Sequence, residues 1–203
     1  MNALAHCVEG LYSSAAGPVT AVLVEEGIRA LAEALPRVVA NPADIDARGD
    51  ALYGAWLAGS VLGTSGMGIH HKVCHVLGGA YDLPHAEIHS AVLPYATAYN
   101  APFAAAAMTR AARALGTDDP AGGLWDLAVT IGAPTSLASV GFRRAEAGEV
   151  AGNSLAKDVF LAVHGQQVRF AEAVGARELD GLRLDDLLVA ARDRELDRIE
   201  DLV

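Results

Sequence analysis

Near the start of the chain, apolar residues recur at Leu4, Cys7, Val8 and Leu11, a spacing that lines them along one stripe of an α-helix. Asn2 and His6, four residues apart, share an edge beside that stripe. A second periodic run through Val22, Val24, Ile28, Leu31 and Leu35 opens on Pro18, which suits a first helical turn. It meets Pro36, expected to kink or end it. Asn41 reads as the N-cap of a third helix, with Pro42 at its first position and Asp44 in its first turn, running through Leu52, Trp56 and Leu57 toward Gly63. A turn at Gly66 to Gly68 leads into a helix carrying His71, which Gly78 and Gly79 are expected to close. Pro84 opens the next, carrying His85 and His89, with Pro94 bending or ending it.

Two further helices are expected over 102–115 and 124–131, the latter closed by Gly132, Ala133 and Pro134. The pattern loosens from about Gly141, and from Arg177 onward Leu182, Leu184, Leu187, Leu188 and Ile199 keep helical spacing among charged residues, as in a solvated amphipathic helix or two. The prediction is an all-α protein of about seven to nine helices. A helical domain spans 1–142, and a tail over 143–203 packs on it.

Composition supports this. Hydrophobic residues make up 52% of the 203 but aromatics only 5%, so the apolar content is mostly Ala, Leu and Val, suited to close-packed helices. A net charge of −10 with no basic stripe excludes a nucleic-acid partner. Two cysteines, Cys7 and Cys74, form no disulfide framework and fit a reducing, cytoplasmic compartment. The uncharged stretch 51–69 raises a membrane span, but its five glycines read instead as a buried helix entering a turn. No membrane partner is therefore expected.

Five of the seven histidines, His70, His71, His75, His85 and His89, fall within one short segment. Imidazole binds metals, donates to oxyanions and shuttles protons near neutral pH, so this clustering marks a reaction centre. On helices, His71 with His75 and His85 with His89 each share a face. Lys72 supplies local positive charge for an anionic ligand against the acidic background. Plainer readings apply elsewhere: His164 as an exposed structural group, His70 as a packing or solvent-facing ring, Cys7 and Cys74 as small buried hydrophobes, and Tyr53, Trp56 and Trp125 as core.

The helix Asn2-Ala3-Leu4-Ala5-His6, followed by His70-His71-Lys72 with His75 and Leu77-Gly78-Gly79, then Leu83-Pro84-His85 with His89, resembles the helical second domain of the iron-containing alcohol dehydrogenase superfamily. Within that family it is similar to the maleylacetate reductase branch. The resemblance implies an upstream dinucleotide-binding domain carrying NADH or NADPH, so the chain is expected to begin inside a longer protein, with Met1 an internal methionine. That missing domain, or a second copy in a homodimer, is the partner it implies.

The family's metal ligands fall on Asn2, His6, His71 and His85. Asn2 stands where metal-dependent relatives carry Asp, which removes a charge and a hard oxygen donor and weakens any divalent metal held by His6, His71 and His85. The implied substrate is a small dicarboxylate, maleylacetate, reduced to 3-oxoadipate in aromatic-compound degradation. His75 is the implied proton donor beside nicotinamide and substrate, with Asn2, His6, His71, Lys72, His85 and His89 on the substrate. Two rival readings are a metal-dependent alcohol dehydrogenase half using three imidazoles and water, and a non-enzymatic helical binding module.

Overall fold

A computed structural model describes residues 1–143. The expectations for His164 and for the amphipathic tail fall outside those residues. The described part is helical throughout: α1 (Asn2–Tyr12), α2 (Pro18–Ala40), α3 (Ile45–Ser65), α4 (Ile69–Tyr81), α5 (His85–Asn100), α6 (Ala105–Leu115), α7 (Pro120–Thr130) and a 3-10 turn over Ala138–Val140. Among the described residues there is no strand, so the all-α expectation holds. None of these helices is long and apolar enough to cross a membrane.

The helix ends differ from the sequence reading wherever tertiary packing outweighs a local breaker. Pro36 does not end α2, because it lies in the last turns; the helix reaches Ala40, where Asn41 donates its N–H to the Arg37 carbonyl at 2.9 Å. Asn41 is thus a C-cap. The N-cap of α3 is Asp44, which accepts from the Ala47 N–H at 2.8 Å. Helix α4 continues through Gly78 and Gly79 to Tyr81, stopping at Asp82 in the left-handed region at φ 51°. Gly78 is held in the helix by α5, since the Cβ it lacks would sit 3.2 Å from Ile88 Cδ1. Pro84 caps α5 from outside rather than opening it, and Pro94 lies within the helix. Helix α6 starts at 105 rather than 102, and α7 at Pro120, capped by Asp119 through the Ala121 N–H at 3.1 Å.

Helix α5 is the axis of the fold, with every residue from 88 to 99 buried. That enclosure explains how it tolerates Pro94: packing on all sides holds the helix across the lost hydrogen bond. On one side Leu93 joins a core of Leu4, Val8, Val24, Ile28, Val61 and Leu124, drawn from α1, α2, α3 and α7. On the other, Ile88, Val92 and Tyr95 pack with Cys74, Leu77, Leu137 and Phe142. Trp125 is half-buried against this second core, its ring 5.9 Å from Tyr95. Tyr53 and Trp56 are not core residues: they are 45% and 65% exposed. Helix α3 buries Gly54, Leu57, Ala58 and Val61 against its neighbours and turns Leu52, Tyr53, Trp56 and Leu62 outward, so it is half-buried rather than enclosed.

Close helix approach rests on small residues. A Cβ on Gly10 would lie 2.4 Å from Val61 Cγ1 and 3.2 Å from Val24 Cγ2, so only glycine lets α1 settle between α2 and α3. Gly10→Ala is expected to lower stability by about 1–3 kcal/mol through overpacking. Gly59→Ala, on the exposed side of α3 with nothing within 4 Å of the added methyl, should raise it by about 0.5–1 kcal/mol. Thermal denaturation of the two variants measures both signs.

Candidate active site: an imidazole cluster on a buried glutamate

Helix α1 carries three polar side chains on one edge, Asn2, His6 and Glu9, at helical spacing. Glu9 is the sole charged residue of that helix, and its side chain is fully buried. The chain offers it donors from the start of α4. Glu9 Oε2 accepts from the Gly68 N–H at 2.9 Å, and Oε1 from the His70 N–H at 2.7 Å. These are N–H groups at a helix N-terminus, where no carbonyl within the helix can reach them and a negative charge is favoured. Oε2 also meets His71 Nδ1 at 2.6 Å, and the Tyr12 hydroxyl donates to Oε1 at 3.4 Å. A Cβ on Gly68 would stand 2.7 Å from Oε1, so glycine is what permits this approach.

The sequence reading passed over Glu9. The available signal was a lone acid seven residues after Asn2 and three after His6, on the edge already assigned to chemistry.

The carboxylate orients His71. A ring whose Nδ1–H is donated to Glu9 turns Nε2 away from the carboxylate, and that atom is buried without a protein partner among the described residues. Around it the expected residues assemble. His6 stacks on His71 with ring centroids 4.6 Å apart, and His89 and His75 lie 4.7 and 6.0 Å from it. His85 is 4.3 Å from His89 and 6.1 Å from His75. The Asn2 amide nitrogen approaches His85 Nε2 at 3.3 Å, while Asn2 Oδ1 is buried with no partner among the described residues. Helices α1, α4 and α5 therefore bring Asn2, His6, His71, His75, His85 and His89 to one place. His75 and His85 are exposed and form its open side. Lys72 is exposed beside His75, whose protonation its ammonium opposes. His70 packs in the interior at 0% exposure, one of the two readings left open for it.

Burial, then the neighbouring His71, pushes His6 down to about 4 and His89 to about 3. The same two causes lower His75. These rings are neutral at neutral pH and offer one N–H and one lone pair each. Burial pushes the Cys7 thiol up to about 12 and Cys74 above its ordinary value, as suits the inert buried thiols expected.

The donor set does not fit a hard divalent cation. Its carboxylate, Glu9, is turned onto His71 and two backbone N–H groups, and His85 Nε2 already faces the Asn2 amide. What remains are imidazoles and a neutral amide, donors suited to softer ions or to none. Another trio, His70, His71 and His89, brings one ring nitrogen each to within 4.8 Å of the others, all buried. Two of its nitrogens, His70 Nε2 and His89 Nδ1, are occupied with each other at 2.9 Å.

Known proteins resemble this chain in sequence and fold. A family model described as Fe-containing alcohol dehydrogenase family, C-terminal, matches residues 1–169. A maleylacetate reductase of Sphingobium indicum is 57% identical over 141 residues, covering 70% of this chain and 40% of that protein. One from Burkholderia cepacia is 56% identical over 144 residues, covering 71% and 41%. The chain thus spans about two-fifths of the length of the curated relatives it matches. Among solved structures, a maleylacetate reductase from a Rhizobium species superposes with a TM-score of 0.72 at 40% identity, covering 81% of this chain and 51% of that one. An iron-containing alcohol dehydrogenase from Corynebacterium glutamicum gives 0.71 at 44% identity, covering 81% and 44%.

Replacing the buried carboxylate tests its structural weight. Glu9→Gln sets an NH₂ group against a backbone N–H whichever way the amide turns, and should cost about 2–4 kcal/mol in denaturant unfolding. The lowered histidines set a pH dependence with a definite sign. Unfolded imidazoles take up protons near pH 6.5 while native His6 waits until about 4 and His89 until about 3. Stability is therefore complete above about 6.5 and falls on acidification, by up to about 1.4 kcal/mol per pH unit for each ring. His6→Asn should flatten the slope between about pH 6.5 and 5, read from denaturation midpoints at each pH.

Proposed function

We propose, from the premise that this chain belongs to the Fe-containing alcohol dehydrogenase family and carries its C-terminal domain, that it forms the substrate-binding half of a maleylacetate-type reductase using NADH or NADPH. The observation that carries the reading is a cluster of uncharged donors with its carboxylate turned inward. A dianion is repelled by a free Asp or Glu and welcomed by N–H groups. At Asn2 the amide can donate to a substrate carboxylate where an Asp would oppose it. The maleylacetate reductases named among the relatives support this substrate class.

The reaction requires hydride at the carbon beta to the ketone and a proton at the carbon alpha to it, converting maleylacetate to 3-oxoadipate. A reduced nicotinamide, when bound, supplies the hydride. The exposed edge at His75 and His85 is the side from which a nicotinamide could approach, whereas no described residue builds a glycine-rich cradle for the phosphates on a strand-turn-helix unit. The chain's own residues do the rest. Asn2, His6, His85 and His89 hold substrate oxygens by N–H donation. Lys72 draws in a carboxylate at the mouth. His71, fixed by Glu9, orients the bound molecule. His75, the ring with open access, stabilises the developing enolate and delivers the proton.

In this reading the 203-residue chain alone does not turn over, because its partner is the dinucleotide-binding half, in a reducing cytoplasmic setting. The test is nicotinamide oxidation with maleylacetate, assayed for the chain alone and after adding the dinucleotide-binding domain of the Sphingobium relative. Turnover should appear only with both parts and fall about 10²-fold or more in His75→Asn. Submicromolar NADH binding by the chain alone, or an undiminished His75→Asn, would overturn it. A specific feature favours the metal-dependent rival, the His71 Nε2, which has no hydrogen-bond partner among the described residues. Stoichiometric zinc or iron surviving dialysis against a chelator would establish that rival instead.

A further inference from the structure

Behind the cluster lies a contact that the proposed chemistry does not use. His70 on α4 and His89 on α5, both at 0% exposure, bring Nε2 and Nδ1 to 2.9 Å. Two neutral rings hold one proton in such a contact. If His70 donates it, His89 carries its own proton on Nε2; if His89 donates it, His89 Nε2 is bare and His70 is protonated on Nδ1. Both outer atoms, His70 Nδ1 and His89 Nε2, are buried without a protein partner among the described residues.

Their surroundings separate the two cases. The His89 ring sits within the cluster, 4.3 Å from His85 and 4.7 Å from His71, and its Nε2 lies on the side away from His70. The His70 ring contacts His71 and His89 but none of the open-side rings. The Cys74 thiol near His70 Nε2 has another acceptor at the same 3.8 Å, the Ile88 carbonyl, so it need not compete for that nitrogen. An N–H sealed away from every acceptor is costlier than a bare lone pair in the same place. The proton therefore belongs on His89 Nε2, the atom on the side of the His71 and His85 rings.

We propose that His70 is a positioning residue that holds His89 as its Nε2–H tautomer, so that His89 presents a fixed donor to the pocket. His71 is fixed the opposite way, since Glu9 takes its Nδ1–H and leaves Nε2 bare in the neutral ring. Two adjacent rings thus face a ligand with opposite polarity, His89 to a carboxylate or ketone oxygen and His71 to a donor such as a hydroxyl or water. This assignment of tautomers stands on the geometry; its use on a dicarboxylate rests on the reading given above.

Long-range ¹H–¹⁵N correlation spectra of the full chain, labelled at histidine, read each tautomer directly. His89 is expected as Nε2–H in roughly tenfold excess or more, and His71 as Nδ1–H. In His70→Phe the His89 signal should shift to a mixture of tautomers while backbone amides remote from α4 and α5 keep their positions. A wild-type His89 protonated on Nδ1, or a His89 pattern unmoved by His70→Phe, would overturn the proposal, and the wild-type spectrum decides it if the variant does not fold. Titration with succinate separates the two readings. A shift at His89 Nε2 supports its use on dicarboxylates, and its absence overturns that use while the tautomers remain as measured.

Discussion

One buried negative charge organises this molecule. The Glu9 carboxylate sits where α1 crosses the start of α4 and gathers two backbone N–H groups, a ring N–H and a phenol. An ionised group in such a place is tolerated only when its lone pairs are filled, so the donors and the acid require each other. The requirement sets the position of α4 along its axis, the glycine at 68, and the direction of the His71 ring. Everything the pocket presents to a ligand follows from that docking.

The electrostatic result is unusual for a polar pocket. Its acid faces inward and its imidazoles, desolvated and crowded against each other, hold no added proton near neutral pH at His6, His75 or His89. On the proposed function, recognition of an anion there depends on the directions of N–H bonds rather than on net positive charge, with Lys72 at the exposed edge as the exception. Directional donors discriminate between oxygen geometries more sharply than a point charge does. The same design leaves little for a hard metal ion, since the carboxylate that would attract it is already engaged.

Much of this was legible in the residues. The apolar spacing of α1 and the 14-residue step from His71 to His85 carry both the helical class and the cluster, because side chains of short reach on helical faces translate directly into position. The failures have a common origin. Gly78, Gly79, Pro36 and Pro94 read locally as breaks, yet α2, α4 and α5 run through them because each helix is held by its neighbours rather than by its own propensity. Trp56 reads as core from its chemistry, but which side of α3 meets α2 depends on where the small residues Gly54 and Ala58 fall. Glu9 escaped because a single acid in a short helix looks solvated until the N-terminus of a distant helix is known to sit on it.

That distance in sequence has a kinetic meaning. The carboxylate and its partners on α4 are separated by 59 to 62 residues, with the whole α2–α3 hairpin between them. The hairpin closes over short range, whereas joining α1 to α4 closes a loop that contains it, and long-range closure is the slow event in assembling a small domain. The imidazole cluster is thus expected among the last features to mature during folding, and a chain that has formed most of its helices still lacks it.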